Sequence, residues 1–389
     1  MTTSDVIAAP GLANLIAAET RIGDVLGADG FFHYRGYDAT QLARRCSFEE
    51  VWHLLLRHEL PDAGQAQQWR NTIASAAVED DDLTARLLEV VRAATVAGGV
   101  ADPLATLRTA LSAYGTLSGD QPLWDSDQPT REVRAIRTAT AVPWLVTAAH
   151  AIAAGAQPRL PRPDLGYVAN YLWMLTGRVP ADEHIRALSR YLVLTVDHGF
   201  NNSTFTARCV ASTGADLTSC VVAGIGALSG PLHGGAPSRA LDALDRIGSV
   251  DRAEAWARDQ LAAGRRVMGF GHAVYRTLDP RSELLKQTAA ELGGPLAELA
   301  IGCEAQVVAV LDEAKPDRPL RANVEYYAGV VMQACGIPRE MFTPTFAVSR
   351  VVGWTAHILE QGLDRKIIRP RSRYVGEPAP RLLPDQSVR

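Results

Sequence analysis

The chain has 389 residues, 47% hydrophobic and 21% charged, with 39 basic against 43 acidic side chains and a net charge of −4. That balance excludes a disordered chain and carries no whole-chain signal for nucleic acid or a membrane surface, and the length suits two or three domains around a large core. Only Lys286, Lys315 and Lys366 are lysines and the other 36 basic residues are arginines, so planar two-pronged binding of carboxylate or phosphate is far better supplied than Schiff-base chemistry.

In chain order, strand-like alternation from Glu19 to Asp24 and from Phe31 to Arg35 predicts a small N-terminal hairpin. Ser47 followed by Glu50 reads as a capping box that opens an amphipathic helix ending before Pro61. Helical period then dominates the segments 69–98, 132–155, 167–176, 182–197, 216–230, 236–245, 251–263, 281–291, 296–314, 325–335 and 344–361. Each is rich in Ala, Leu and Val and bounded by Gly, Pro, Asp or Ser. The polar or proline-rich stretches 115–131 and 156–164 read as surface loops. The expected fold is all-α with a small N-terminal β-hairpin.

The five cysteines are odd in number and scattered, without a C-x-x-C pair, which argues against a disulfide framework or zinc ribbon and for a reducing compartment. The N-terminus lacks a basic region leading into an apolar one, and the longest apolar stretch, Ala141 to Ala156, is interrupted by Pro143 and His150. A cytoplasmic protein is the expectation.

Gly224-Ile225-Gly226-Ala227-Leu228-Ser229-Gly230 resembles a dinucleotide fingerprint, but its third glycine is one position late and no βαβ pattern surrounds it, so close helix packing explains it better. No phosphate-cradling GK[ST] occurs, and His53 and His58 lack metal-ligand spacing. Three other histidines stand in glycine-flanked turns: His198 in DHGFNNST, His233 in GPLHGGA and His272 in GFGHAVYR, the last followed by Asp279-Pro280-Arg281. One such histidine alone is usually structural, and Asp and Asn near His198 would serve as helix caps. Three of them with arginines nearby favour a site that binds anions and moves protons. Glu325, among apolar residues at a helix start, is either a first-turn acid complementing the helix dipole or a desolvated base. Arg350 and the basic stretch Arg365, Lys366, Arg369, Arg371 and Arg373 supply positive charge, and that stretch on its own reads as a solvated segment.

Taken together, DHGFNNST, GPLHGGA, GFGHAVYRTLDPR and FAVSRVVGW, in that order, resemble the citrate synthase family closely. The likeness runs from Pro10 to Gly376, and the modest length resembles the short dimeric branch. The resemblance implies a large helical domain (1–234 and 336–389) and a small one (235–335), with a cleft that closes on oxaloacetate. It implies condensation of acetyl-CoA with oxaloacetate and hydrolysis of citryl-CoA to citrate and CoA, with no metal or redox cofactor. Carried over by motif, Glu325 takes the methyl proton, His233 hydrogen-bonds the thioester oxygen, and His272 protonates the ketone oxygen. His198, Arg281, Arg350 and Arg369 hold the carboxylates, with Arg369 crossing a homodimer interface. Arg266, Val267, Met268, Gly269, Phe270, Gly271 and Ala273 would recognise adenine, and Arg276 a phosphate of CoA. One departure stands out: the family usually has Asp where this chain has Glu325. The alternatives are a 2-methylcitrate synthase using propionyl-CoA, and a slow or non-catalytic oxaloacetate-binding paralogue.

Overall fold

The computed structural model describes residues 7–12, 15–95, 102–231, 233–234, 236–272, 275, 278–378 and 380, with side chains left out at 236–239. Among them are sixteen α-helices and one three-stranded antiparallel sheet, β1 (Gly23–Leu26), β2 (Phe31–Tyr34) and β3 (Tyr37–Asp38). The all-α expectation with a small N-terminal hairpin holds, with β3 added at the edge. No helix among the described residues is long and apolar enough to cross a membrane. All five cysteines are free thiols.

Local capping chemistry sets most helix boundaries. Ser47 Oγ accepts from the Glu50 amide while Glu50 Oε2 accepts from the Ser47 amide, opening the helix Phe48–Arg57. The predicted helix over 69–98 is instead two, Ala63–Ala76 and Asp81–Ala94, because Asp80 caps a new start by accepting from the Leu83 amide; residues 96–98 lie outside the described residues. Pro103–Leu117 is an additional helix, started by the Asp102 cap and Pro103 in its first turn, and it runs into the stretch expected to be loop. The first strand starts at Gly23, later than expected, because Thr20 Oγ1 and the Arg21 amide donate to the carboxylate of Glu360 instead of joining a ladder.

The helix Phe342–Gln361 is apolar on nearly every face and is buried accordingly. It packs against Gln128–Ala153, Asp182–Thr195, Asn202–Ala211 and Leu217–Leu228. Gly224 makes one of these approaches possible, since a Cβ there would stand 3.1 Å from the Trp354 indole. The helices Ala236–Ile247, Ala253–Ala262, Pro280–Leu292, Pro295–Ala314 and Val324–Ala334 pack mostly on one another and meet the rest chiefly at Asp182–Thr195. The three histidine turns and the Glu325 helix lie along that junction.

Candidate active site

Two walls build the site. On one, the helix Asp182–Thr195 ends in a turn carrying Asp197 and His198, and the C-terminal helix runs hard against it. A Cβ on Gly353 would lie 2.0 Å from the Val196 carbonyl oxygen, so only glycine allows the approach. One turn earlier, Arg350 is buried, with its Nε donating to the Thr195 carbonyl (2.8 Å) and its guanidinium over the Phe346 ring (4.7 Å). Among the described residues neither Nη nitrogen has a protein acceptor, which is the geometry a carboxylate would satisfy. Burial pulls the Arg350 pKa down from its usual value, and the nearby charge of Asp197 opposes that. Asp197 itself would be raised by burial, but His357 and Arg350 outweigh this and hold it below the usual carboxylate range.

On the other wall, the glycine loop is latched to the start of the Glu325 helix. The Asn323 amide donates to the Gly269 carbonyl (2.9 Å), the Gly271 amide to the Arg321 carbonyl (2.8 Å), and Asn323 Nδ2 to the Gly271 carbonyl (2.9 Å). Gly269 and Gly271 sit at φ +87° and +88°, and a Cβ on Gly269 would come 2.8 Å from the Tyr326 ring, so glycine is needed for both conformation and space. Asp279 makes the second latch. It caps the helix Pro280–Leu292, binds Arg281 through both oxygens (3.0 and 2.9 Å), and accepts from the Val324 amide (3.0 Å). Glu325, His272 and the loop residues Arg266 to Gly271 thus line one cavity of about 660 Å³, together with the cations Arg265, Lys315 and Arg318. We expect Gly269→Ala to strain the backbone and crowd Tyr326 together, costing about 1–3 kcal/mol; urea denaturation would measure it.

Each histidine has hydrogen-bond partners within the site. The Tyr275 amide can only donate, and it does so to Nδ1 of His272 (3.1 Å). Nε2 of the same ring lies 3.1 Å from Arg281 Nη2, which also can only donate, so donors face both ring nitrogens of His272 and a neutral ring accepts from one of them at a time. Burial first, then the Arg281 charge, lowers the His272 pKa to about 4. His198 lies near it, ring centroids 6.0 Å apart, and is driven well below its usual range by burial and by Arg281 and Arg350. His233 Nε2 lies 2.9 Å from Ser203 Oγ, which is also 2.8 Å from Asn201 Oδ1 and accepts from Trp354 Nε1 (3.2 Å). Burial and Arg350 lower its pKa to about 4. All three imidazoles are therefore neutral near pH 7. Glu325 is the opposite case: burial raises its pKa to about 7, against the pull of Arg281 and with a push from Asp279.

The structure gathers His198, His272, Arg281 and Glu325 along the junction, with Arg350 close enough to depress both His198 and His233. Arg369 is not brought into this cluster by its own chain. It is exposed beyond the last helix, where the neighbouring Ile368 amide is tied to Ser212 Oγ (3.0 Å). Ala273 and Arg276 lie outside the described residues. The polar run after His198 does more than close a helix: Asn201 caps a further one, Asn202–Ala211, and so aims Ser203 at His233. Asp279, Ser203 and Tyr275 join the site without any mark in the sequence that singles them out for it. The Asp-Pro helix-start signature identifies Asp279 as a cap, but nothing in the sequence shows it reaching Val324.

Similarity to known proteins agrees with this geometry. A family model described as citrate synthase, C-terminal domain, matches residues 11–371. Citrate synthase 2 of Bacillus subtilis is 35% identical over 374 residues, covering 96% of this chain and 97% of the relative. The crystal structure of citrate synthase from Thermotoga maritima superposes with a TM-score of 0.80 at 32% identity, covering 96% of this chain and 97% of that one. The Thermoplasma acidophilum citrate synthase, solved as a ternary complex with carboxymethyl coenzyme A and oxaloacetate, gives 0.86 at 27% identity, covering 97% and 98%. The chain is therefore an enzyme of the citrate synthase family, a transferase.

Proposed function

We propose that the enzyme condenses acetyl-CoA with oxaloacetate and hydrolyses the citryl thioester to citrate and CoA. The observation that carries this is a carboxylate whose pKa burial raises to about 7 beside a neutral histidine on one cavity. A thioester methyl is a weak acid, so a base can remove its proton only while the oxygen that gains charge is stabilised. Glu325 is the base. His272 meets the ketone oxygen of oxaloacetate once Arg281 Nη2, which faces its Nε2 in the substrate-free site, turns to the substrate. The free fork of Arg350 takes one carboxylate, His198 and the Nη1 of Arg281 contribute, and Arg369 arrives from a second copy in a homodimer. His233 faces the thioester oxygen. In the substrate-free site Ser203 Oγ donates to Asn201 Oδ1; its proton redirected to His233 Nε2 leaves His233 with a donor on Nδ1.

For the carrier, the loop from Arg266 to Gly271 offers backbone groups to adenine, and the cations lining the cavity match the negative charge of the CoA phosphates. The small group of helices closing over the junction would exclude water. The chemistry is side-chain acid–base work throughout. Glu325 is one methylene longer than the aspartate usual in the family, and that methylene takes up room beside the acyl group. We therefore expect acetyl-CoA to be favoured over propionyl-CoA by about 1–3 kcal/mol in kcat/KM. Steady-state release of CoA thiol with oxaloacetate and acetyl-, propionyl- or butyryl-CoA decides it. A propionyl preference assigns 2-methylcitrate synthesis, and oxaloacetate binding without thiol release assigns a binding paralogue.

A further inference from the structure

The hydroxyl of Tyr275 lies 3.0 Å from Nε2 of His198, while the amide of the same residue donates to Nδ1 of His272. Among the described residues the phenol has no other hydrogen-bond partner. A phenol is a stronger acid than the N–H of a neutral imidazole, and an imidazole nitrogen is a better acceptor than a phenol oxygen, so the stronger hydrogen bond has the hydroxyl donating to Nε2. Nε2 of His198 is then an acceptor, and the ring proton sits on Nδ1. That nitrogen has no hydrogen-bond partner among the described residues, on a side chain that is only partly buried.

We infer that Tyr275 is a positioning residue that sets the tautomer of His198: its hydroxyl leaves the His198 proton on Nδ1 as a donor to a substrate carboxylate. The donation to a carboxylate rests on the proposed oxaloacetate-binding role; the tautomer assignment does not. The packing keeps the arrangement in place, with the Tyr275 ring 4.8 Å from that of His272 and the Arg281 guanidinium 5.5 Å from its centre. A free imidazole interconverts between its two neutral forms, so a histidine required as a donor in one direction gains from a neighbour that excludes the other form.

The test compares the full-length wild type with Tyr275→Phe, which removes the hydroxyl and keeps the backbone donor. Long-range proton–nitrogen correlation spectra of histidine-labelled, substrate-free protein, assigned with His198→Gln, should show wild-type His198 protonated on Nδ1. In Tyr275→Phe that signal should move toward the Nε2–H form while His272 is unchanged. Oxaloacetate affinity measured by calorimetry should weaken about 3- to 10-fold, with kcat at saturating substrate within about twofold of wild type. Wild-type His198 protonated on Nε2 would overturn the inference, as would a Tyr275→Phe variant that binds oxaloacetate as tightly as wild type or more tightly, since the phenol would then be a mere occupant of the site. If the wild type bound no oxaloacetate, the proposed function would fall, and the spectra alone would still decide the role of Tyr275.

Discussion

Glu325→Gln is expected to lower kcat by about 10³-fold or more while leaving oxaloacetate affinity near wild type, because the amide cannot accept the methyl proton and the guanidinium groups proposed to hold the keto acid stay in place. Exchange of the acetyl methyl protons into deuterated solvent should stop with it. Continued exchange would put the base elsewhere. Glu325→Asp restores the residue usual in the family but withdraws the carboxylate by more than an ångström from a pocket shaped around the longer chain. A loss of about 100-fold is expected, and a gain in rate would mean that the pocket had not adapted. The raised pKa also gives a pH signature. A base must be ionised, so wild-type kcat/KM should fall about tenfold per pH unit below an inflection near 7. The stability effect has the opposite sense. The folded protein keeps the Glu325 proton up to about 7, whereas the unfolded chain releases it near 4.5, so the folded state binds more protons across that window and stability falls as pH rises through it. The cost is absent below the window and complete above it. Glu325→Gln should therefore unfold at a higher urea concentration than wild type at pH 8 and show little such advantage at pH 4.

Residues whose roles are local are legible in the sequence. Ser47 and Glu50 announce a helix start through chemistry three residues apart, and Tyr167–Thr176 is bounded by Gly166 and Gly177 as its composition suggests. Glycine-flanked histidines and the ordered motifs point to the site for the same reason, since a close backbone approach needs glycine at fixed offsets. Asp279 is different: two of its functions, cap and Arg281 partner, lie within two residues of it, but the third reaches Val324, 45 positions away. The helix Asn202–Ala211 is hidden because Asn, Ser and Thr favour caps and turns, and here they form both the cap and the first turn. The Glu325 pKa is equally illegible, since a first-turn glutamate is ordinarily stabilised in its charged form, and only tertiary burial reverses that.

Asp279 supplies the second large effect. Asp279→Ala should lower the unfolding free energy by roughly 3–5 kcal/mol and abolish turnover, because it leaves the buried Arg281 guanidinium without its countercharge. Urea denaturation would show it, and a variant as stable as wild type would mean that Arg281 had found water. Asp279→Asn separates charge from latch. The amide oxygen can still cap Pro280–Leu292, but its NH₂ group would face the Val324 amide, donor against donor, and loosen the join to the Glu325 helix. The electrostatic consequence has a definite sign. Burial would raise the Asp279 pKa, but Arg281 outweighs this and keeps the carboxylate ionised; that negative charge in turn helps raise Glu325, while Arg281 lowers it. With Asp279 neutralised, Glu325 loses a repelling neighbour and feels Arg281 unshielded, so its pKa must fall. The kcat/KM inflection of Asp279→Asn should accordingly move to more acidic pH than the wild-type value near 7, even as its plateau drops. An inflection that stayed in place would show that the titrating base is some group other than Glu325, because among the described residues no other carboxylate lining the cavity is coupled to Asp279 in this way.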